Sequence, residues 1–220
     1  MLISHKHKFI TVDIPKTGTR SLRETFFKLD IINVSGKPYN SNLDNTLEQH
    51  ASILSIKQGF IDNSWTGFDN YYKYSVVRNP WDRYLSFFTF YKMKAKEYSE
   101  SFESLNELEK AQGKMSVDLF ENNTYAEVLK TLIQNNPPHS YFLLNEVDDC
   151  EFNRVTLFED LIQGFNDFCL DVGVLVPTLM HSNKSTSLLT REEIYTQELI
   201  DMVAEKEKWV IDKFSYDLTH

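Results

Sequence analysis

A short polar stretch near the start of the chain has the residue types of an anion site. Residues 16–21, KTGTRS, supply a lysine, an arginine, a glycine and three hydroxyl side chains. The apolar, β-branched run Lys8–Asp13 predicts a buried strand before it, and Leu22 and Phe26, four residues apart, predict a helix after it. The first turn of such a helix presents N–H groups and a positive dipole end to an anion. Taken alone, the stretch fits a phosphate site and an ordinary strand–helix turn with a surface lysine equally well.

A second polar group follows another predicted strand, Tyr74–Val77. Asn79 and Pro80 are typical of a helix N-cap and a first helical position, and the pattern predicts a helix from Trp81 to about Lys94. Arg78 is therefore expected at the carboxyl end of the strand, where open α/β sheets bind ligands. Ser86 follows Arg78 by eight residues, within the helix. A guanidinium fork and a hydroxyl group together suit a second phosphate.

His50 is a third candidate, although one histidine alone is more often a surface or capping residue than a catalyst. It follows the polar, turn-rich segment Asp30–Thr46, which predicts an irregular functional loop. It precedes Ser52–Phe60, whose pattern predicts a short helix that Gly59 ends. The sequence therefore predicts that His50 lies close to the start of a helix.

The rest of the chain predicts mainly helices and one more strand. In order, the predicted elements are an exposed insertion or helical lid at Tyr98–Ser116, a helix opened by a capping box at Thr124, a strand at Val155–Phe158, an amphipathic helix at Glu159–Val172 with Ile162 on its apolar face, a loop at Val174–Leu189 and a last helix at 196–214. Arg83 is expected to pair with Asp82 or Glu97 on the surface. The pattern predicts a single domain over residues 1–220.

Composition narrows the class of protein. The 220 residues are 41% hydrophobic and 25% charged, which is typical of a globular chain, and the net charge of −9 argues against nucleic acid or an anionic membrane as the main partner. Two cysteines without a Cys/His cluster predict neither a disulfide framework nor a metal site. No apolar run is long enough for a membrane span or leader, so we expect a cytoplasmic protein.

The two polar motifs together resemble those of a known enzyme family. PKTGTRSL at 15–22 is similar to the 5′-phosphosulfate loop of sulfotransferases, and VVRNPWDRYLS at 76–86 is similar to their 3′-phosphate motif. Weaker similarities to the family-2 type sulfotransferase domain occur at 49–51 (QHA), 155–161 (VTLFEDL), 181–185 (HSNKS) and 208–217 (KWVIDKFSYD). The resemblance thus extends over most of the chain.

The resemblance implies a fold, a donor and a set of site residues. The fold is α/β, a P-loop-like three-layer arrangement with a central, mostly parallel sheet flanked by helices. The donor is 3′-phosphoadenosine 5′-phosphosulfate (PAPS), and no metal is required. Carried over by position, the residues that hold the 5′-phosphosulfate are Lys16, Thr17, Gly18, Thr19, Arg20 and Ser21, and those that hold the 3′-phosphate are Arg78 and Ser86. Arg20 departs from the small hydroxyl residue often found there, so it either adds a charge to the site or points to solvent.

The resemblance also gives His50 a role. It matches the position of a histidine base, so we expect His50 to take a proton from an acceptor hydroxyl while Lys16 stabilises the departing phosphate. The expected acceptor is a carbohydrate or a small molecule. Four aromatic side chains could line its cleft, although core packing is the favoured role for most of them: Trp65, Tyr71, Tyr72 and Tyr91. The alternatives are a nucleotide-binding protein without turnover and a kinase of related fold, which the absence of a GxxxxGK[ST] loop disfavours.

Overall fold

The candidate residues are positioned by one sheet. In residues 1–28, 50–175, 179 and 189–218, which the computed structural model describes, four strands are present: β1 (Leu2–Ser4), β2 (Phe9–Val12), β3 (Tyr72–Val77) and β4 (Arg154–Leu157). They lie in the order β1-β2-β3-β4. β1 pairs with β2 antiparallel, whereas β2–β3 and β3–β4 are parallel. Three strands were predicted and are confirmed, and β1 was not predicted.

Helices make up most of the remaining described chain. In order they are α1 (Thr19–Lys28), α2 (Ile53–Asp62), α3 (Pro80–Ser101), α4 (Glu107–Glu121), α5 (Tyr125–Asn135), α6 (His139–Leu143), α7 (Leu161–Asp171), α8 (Arg191–Ile194), α9 (Gln197–Lys206) and α10 (Lys208–Phe214). The predicted loop Asp30–Thr46 and the 181–185 motif lie outside the described residues.

The chain forms two compact units. The first contains Met1–Arg78 and Pro138–Asn183, and the second contains Asn79–Pro137 and Lys184–His220, as far as these ranges are described. The whole sheet and helices α1, α2, α6 and α7 belong to the first unit, and the other helices belong to the second. The single domain expected over 1–220 stays a prediction.

The core of the first unit packs helices against one face of the sheet. Leu22 and Phe26 of α1 and Phe168 of α7 are buried with apolar residues of the strands. The Tyr74 ring of β3 stacks on Phe168 with ring centroids 4.2 Å apart. The fold is therefore α/β with a mostly parallel sheet and flanking helices, as predicted, which is consistent with a P-loop-like fold.

The second unit is helical in its described residues, and local capping signals start two of its helices as predicted. The Asn79 side chain accepts hydrogen bonds from the N–H groups of Trp81 and Asp82, with Pro80 at the first helical position. Thr124 forms a reciprocal capping box with Glu127 at the start of α5. Both predictions are confirmed. The sequence was sufficient to make them because each cap depends only on neighbouring residues.

The prediction for Arg83 is wrong. Its side chain is fully buried in the second unit, and its Nη1 lies 2.8 Å from Oε1 of the equally buried Glu207. The two expected partners are paired elsewhere, Asp82 with Arg191 and Glu97 with Lys94. A partner 124 residues away cannot be read from local spacing.

Three further sequence predictions need correction. Gly59 does not end α2, which continues to Asp62. Helix α3 continues to Ser101 instead of ending near Lys94, so the first part of the predicted insertion is helical. Ile162 does not join the apolar face of α7, since its side chain is about half exposed (49%).

Candidate active site

The candidate site lies at the carboxyl edge of the parallel strands of the first unit. Val77 of β3 is paired with Leu157 of β4, so the next residues, Arg78 and Phe158, emerge side by side. The Arg78 guanidinium lies over the Phe158 ring, 4.4 Å from its centroid. Arg78 Nη1 also donates a hydrogen bond to the carbonyl of Lys16 at 3.2 Å. Arg78 therefore joins the loop after β2 to the residue after β4.

The loop after β2 turns sharply before α1 begins at Thr19. Lys16 and Gly18 both have left-handed backbone conformations, with φ of +71° and +79°. The buried Thr17 hydroxyl donates to the carbonyl of Ile14 at 2.9 Å, so its proton stabilises the loop. The first turn of α1 contains no acidic side chain. The loop thus leads into a helix N-terminus whose dipole favours an anion.

Lys16 and Arg78 concentrate positive charge at this edge. Burial, and secondly the charge of Arg78, lower the pKa of the Lys16 ammonium to about 8. A lowered pKa means that the charged form of this lysine is less stable in the folded protein than it would be in water. An anion bound beside the two cations would stabilise their charges, so the residues present fit a phosphate or phosphosulfate group.

His50 is hydrogen-bonded to the backbone at Asp13, between β2 and the loop that contains Lys16. Its Nδ1 lies 2.7 Å from the carbonyl oxygen of Asp13. Because a carbonyl oxygen only accepts, Nδ1 carries the proton and Nε2 retains its lone pair. Burial is the main cause that lowers the pKa of His50, and it favours the neutral ring. The ring is therefore in the form that a general base requires.

Asp13 supports this arrangement from inside the fold. Its fully buried carboxylate accepts a hydrogen bond from the Thr11 hydroxyl at 3.1 Å and lies 3.6 Å from Nε of Arg23 on α1. Sequence reasoning treated Asp13 only as the end of a strand. The sequence does contain one signal, an acidic residue directly after an apolar run. A carboxylate buried at such a position needs polar partners, so the signal indicates a buried polar cluster.

The remaining predicted residues have different positions. Thr19 and Ser21 are buried in the first turn of α1. Arg20 is exposed, and its Nε lies 2.7 Å from Oε1 of Glu24, one turn along the helix, so the structure supports the alternative in which it points to solvent. Ser86 belongs to the second unit, where its side chain is buried on α3.

Three of the aromatic residues proposed for an acceptor cleft lie far from the candidate site. Tyr72 begins β3, and six residues at about 3.3 Å each place it roughly 20 Å from Arg78. Trp65 and Tyr71 pack against the His5 ring near this amino edge, with centroids 4.7 and 5.9 Å away. These residues cannot line a cleft at the carboxyl edge. Tyr91, in the second unit, packs against that unit's core.

Membrane-spanning helices and clusters of metal ligands are both absent from the described residues. Within the described ranges, no helix is long and apolar enough to cross a membrane. The same residues contain no group of three or more His, Cys, Asp or Glu side chains arranged to hold a metal ion.

Comparison with known proteins identifies the family of this chain. The profile described as "Sulfotransferase family" matches residues 1–170, which include the loop, His50, Arg78 and all four strands. Neither the curated proteins nor the solved structures gave a match. Since the match covers more than three quarters of the 220 residues, the chain belongs to the sulfotransferase family.

Proposed function

We propose that this protein transfers the sulfuryl group of PAPS to a hydroxyl group of a carbohydrate acceptor. Family membership supports sulfuryl transfer in general. The observation that carries the finer proposal is that the Lys16 loop and Arg78 lie at the same edge of the sheet, joined by the hydrogen bond from Arg78 to the Lys16 carbonyl, because PAPS offers one anionic group to each of these two cations. The carbohydrate acceptor rests on the resemblance of the motifs. A neutral or weakly charged glycan suits the net charge of −9 better than a highly sulfated polymer.

Lys16 and Arg78 have separate roles in this proposal. Lys16 and the first turn of α1 hold the 5′-phosphosulfate, and Arg78 holds the 3′-phosphate. Ser86 stays a prediction for the 3′-phosphate on the sequence motif alone. Arg20 is left out of the binding set because it pairs with Glu24 on the surface.

His50 acts as the general base. Its Nε2 takes the proton of the acceptor hydroxyl as the hydroxyl oxygen forms a bond to sulfur and the bond from sulfur to the 5′-phosphate oxygen breaks. The electron pair of the broken bond stays on that phosphate oxygen, where the Lys16 ammonium stabilises it. The products are the sulfated acceptor and 3′-phosphoadenosine 5′-phosphate (PAP).

Two variants of His50 test the base. His50→Asn keeps an N–H donor for the Asp13 carbonyl but lacks a basic nitrogen, whereas His50→Ala lacks both. With radiolabelled PAPS and a panel of glycans, both variants should lose roughly 10²- to 10⁴-fold in turnover. Their affinity for PAP, measured by calorimetry, should stay close to that of the wild type. Wild-type turnover in His50→Asn would exclude His50 as the base.

A nucleotide pair tests Arg78. PAP and adenosine 5′-phosphate (AMP) differ only in the 3′-phosphate. Arg78→Ala should therefore weaken the binding of PAP much more than the binding of AMP. Equal weakening of both would exclude Arg78 as the 3′-phosphate ligand. Binding of PAP without transfer to any acceptor would favour the alternative of a binding protein without turnover.

A further inference from the structure

His139 contacts the backbone of Arg78, although nothing in the sequence pattern singled it out. It is the first residue of α6 in the first unit, and its side chain is fully buried. Its Nε2 lies 3.3 Å from the backbone nitrogen of Arg78, which donates the hydrogen bond. The two residues are 61 positions apart, so this contact arises only from the fold.

The direction of this hydrogen bond determines the form of the ring. A backbone N–H only donates, so Nε2 of His139 is the unprotonated, accepting nitrogen and the proton of the neutral ring is on Nδ1. The Arg78 N–H follows the last residue of β3, where pairing along the strand ends. A backbone N–H beyond the end of the ladder needs another acceptor, and His139 supplies one.

Three parts of the first unit therefore hold Arg78. His139 binds its backbone, the Lys16 carbonyl accepts from its Nη1, and the Phe158 ring supports its guanidinium. A side chain of this length loses much conformational freedom when it binds a phosphate. Contacts at both ends reduce that loss because they restrict the arginine before the ligand arrives.

We infer that His139 is a positioning residue that holds Arg78 in the orientation needed to bind the 3′-phosphate of the nucleotide. The inference rests on the proposed role of Arg78. It assigns His139 no contact with the nucleotide, so the loss of His139 should affect recognition of the 3′-phosphate and leave the remaining binding energy unchanged.

Two substitutions separate this role from simple packing. The side-chain oxygen of glutamine can accept a hydrogen bond at about the position of Nε2, so His139→Gln keeps an acceptor. His139→Met has a similar length and volume but no comparable acceptor. Both variants are made in the full chain and compared with the wild type by their dissociation constants for PAP and AMP.

The expected result is a change in selectivity. His139→Met should lose roughly 3- to 10-fold of the preference for PAP over AMP, which corresponds to one hydrogen bond, with AMP affinity unchanged. His139→Gln should retain most of the preference. Wild-type selectivity in His139→Met would overturn the inference, and equal loss in the two variants would overturn it in favour of packing.

Arg78→Ala distinguishes failure of the inference from failure of the proposed function. If this variant binds PAP and AMP with equally reduced affinity, the proposed 3′-phosphate site is wrong. If only its affinity for PAP falls while His139→Met keeps wild-type selectivity, only the inference about His139 is wrong. Should both His139 variants fail to fold, ¹⁵N NMR of the wild-type imidazole replaces them. Unprotonated Nε2 is the expected result, and a proton on Nε2 would overturn the inference.

Discussion

Gly18 and Phe158 are so close that a side chain at position 18 has no room. A Cβ atom built on Gly18 would lie 2.9 Å from Cε2 of Phe158 and 3.0 Å from Cδ2 of Leu161. The same Phe158 ring supports the Arg78 guanidinium. The missing side chain at position 18 therefore allows one aromatic ring to contact both the loop after β2 and the arginine after β3.

Substitution of Gly18 by alanine should impair nucleotide binding. The left-handed φ of +79° costs alanine about 1–2 kcal/mol, and the methyl group must also displace the Phe158 ring. We expect Gly18→Ala to weaken PAP by roughly tenfold or more, a loss of about 1.4 kcal/mol or more. Calorimetric titration with PAP measures this change.

Gly173→Ala is the matched control. Gly173 has a φ of +66°, but an added Cβ there would meet no atom within 4 Å. Both variants add backbone strain and should lose stability in urea denaturation, and Gly18→Ala should lose more because its methyl group also displaces the Phe158 ring. Only Gly18→Ala should lose PAP affinity. Equal PAP affinity in the two variants would contradict the role given to the contact between Gly18 and Phe158.

Replacement of the Phe158 ring should reduce recognition of the 3′-phosphate. Phe158→Leu removes a cation–π contact worth about 0.5–2 kcal/mol, so the preference for PAP over AMP should fall by about 2- to 30-fold. Phe68→Leu removes a similar contact with Lys73, whose Nζ is 4.8 Å from the ring centroid. Phe68 lies before β3 and Arg78 lies after it, so the two residues are at opposite ends of this strand. The control should therefore keep the wild-type preference for PAP over AMP. Loss of selectivity in both variants would indicate a general effect on the fold.

The low pKa of Lys16 predicts that PAP binding depends on pH. The pKa of about 8 in the free protein rises when an anion binds, so above pH 8 the protein must take up a proton to bind. Affinity should therefore fall as pH rises, by about tenfold between pH 7 and pH 9. Calorimetry at pH 8.5 in two buffers of different ionisation enthalpy should detect the proton uptake.

Lys16→Arg provides the control for this pH dependence. Arginine keeps its charge throughout the range, so the variant should bind PAP with little change between pH 7 and pH 9, whatever its absolute affinity. The same fall in affinity in wild type and variant would show that a group other than Lys16 takes up the proton.

The buried pair Arg83–Glu207 should stabilise the second unit. Glu207 Oε1 also accepts from the Tyr84 hydroxyl at 3.2 Å, and Arg83 Nη2 donates to the Pro137 carbonyl at 2.9 Å. Arg83→Met leaves a carboxylate buried without its cation, so we expect the free energy of unfolding to fall by about 3–5 kcal/mol. Urea denaturation followed by circular dichroism measures the change.

A double variant checks the physical reason. Arg83→Met combined with Glu207→Leu removes both charges and should recover much of the lost stability, because no buried charge is left unpaired. Glu24→Ala, which removes the exposed ion pair with Arg20, should cost no more than about 0.5 kcal/mol. If the double variant were less stable than Arg83→Met alone, the loss would come from packing and not from the unpaired charge.

The sequence by itself determined the local elements and the two motifs that are proposed to bind anions. The strand before Lys16, the cap at Asn79 and the capping box at Thr124 depend on residues within a few positions of one another, so spacing and residue type predicted them. The position of Arg78 at the carboxyl end of a strand followed from the same local reasoning.

Only the tertiary structure decided which distant residues meet. Three contacts join segments that are far apart in the chain: His139 with the Arg78 backbone, Phe158 with Gly18, and Glu207 with Arg83. Local periodicity shows which face of an element is apolar, but not which element covers it. Strand order and register brought Lys16, Arg78 and Phe158 to one edge of the sheet, and placed Tyr72 at the opposite edge.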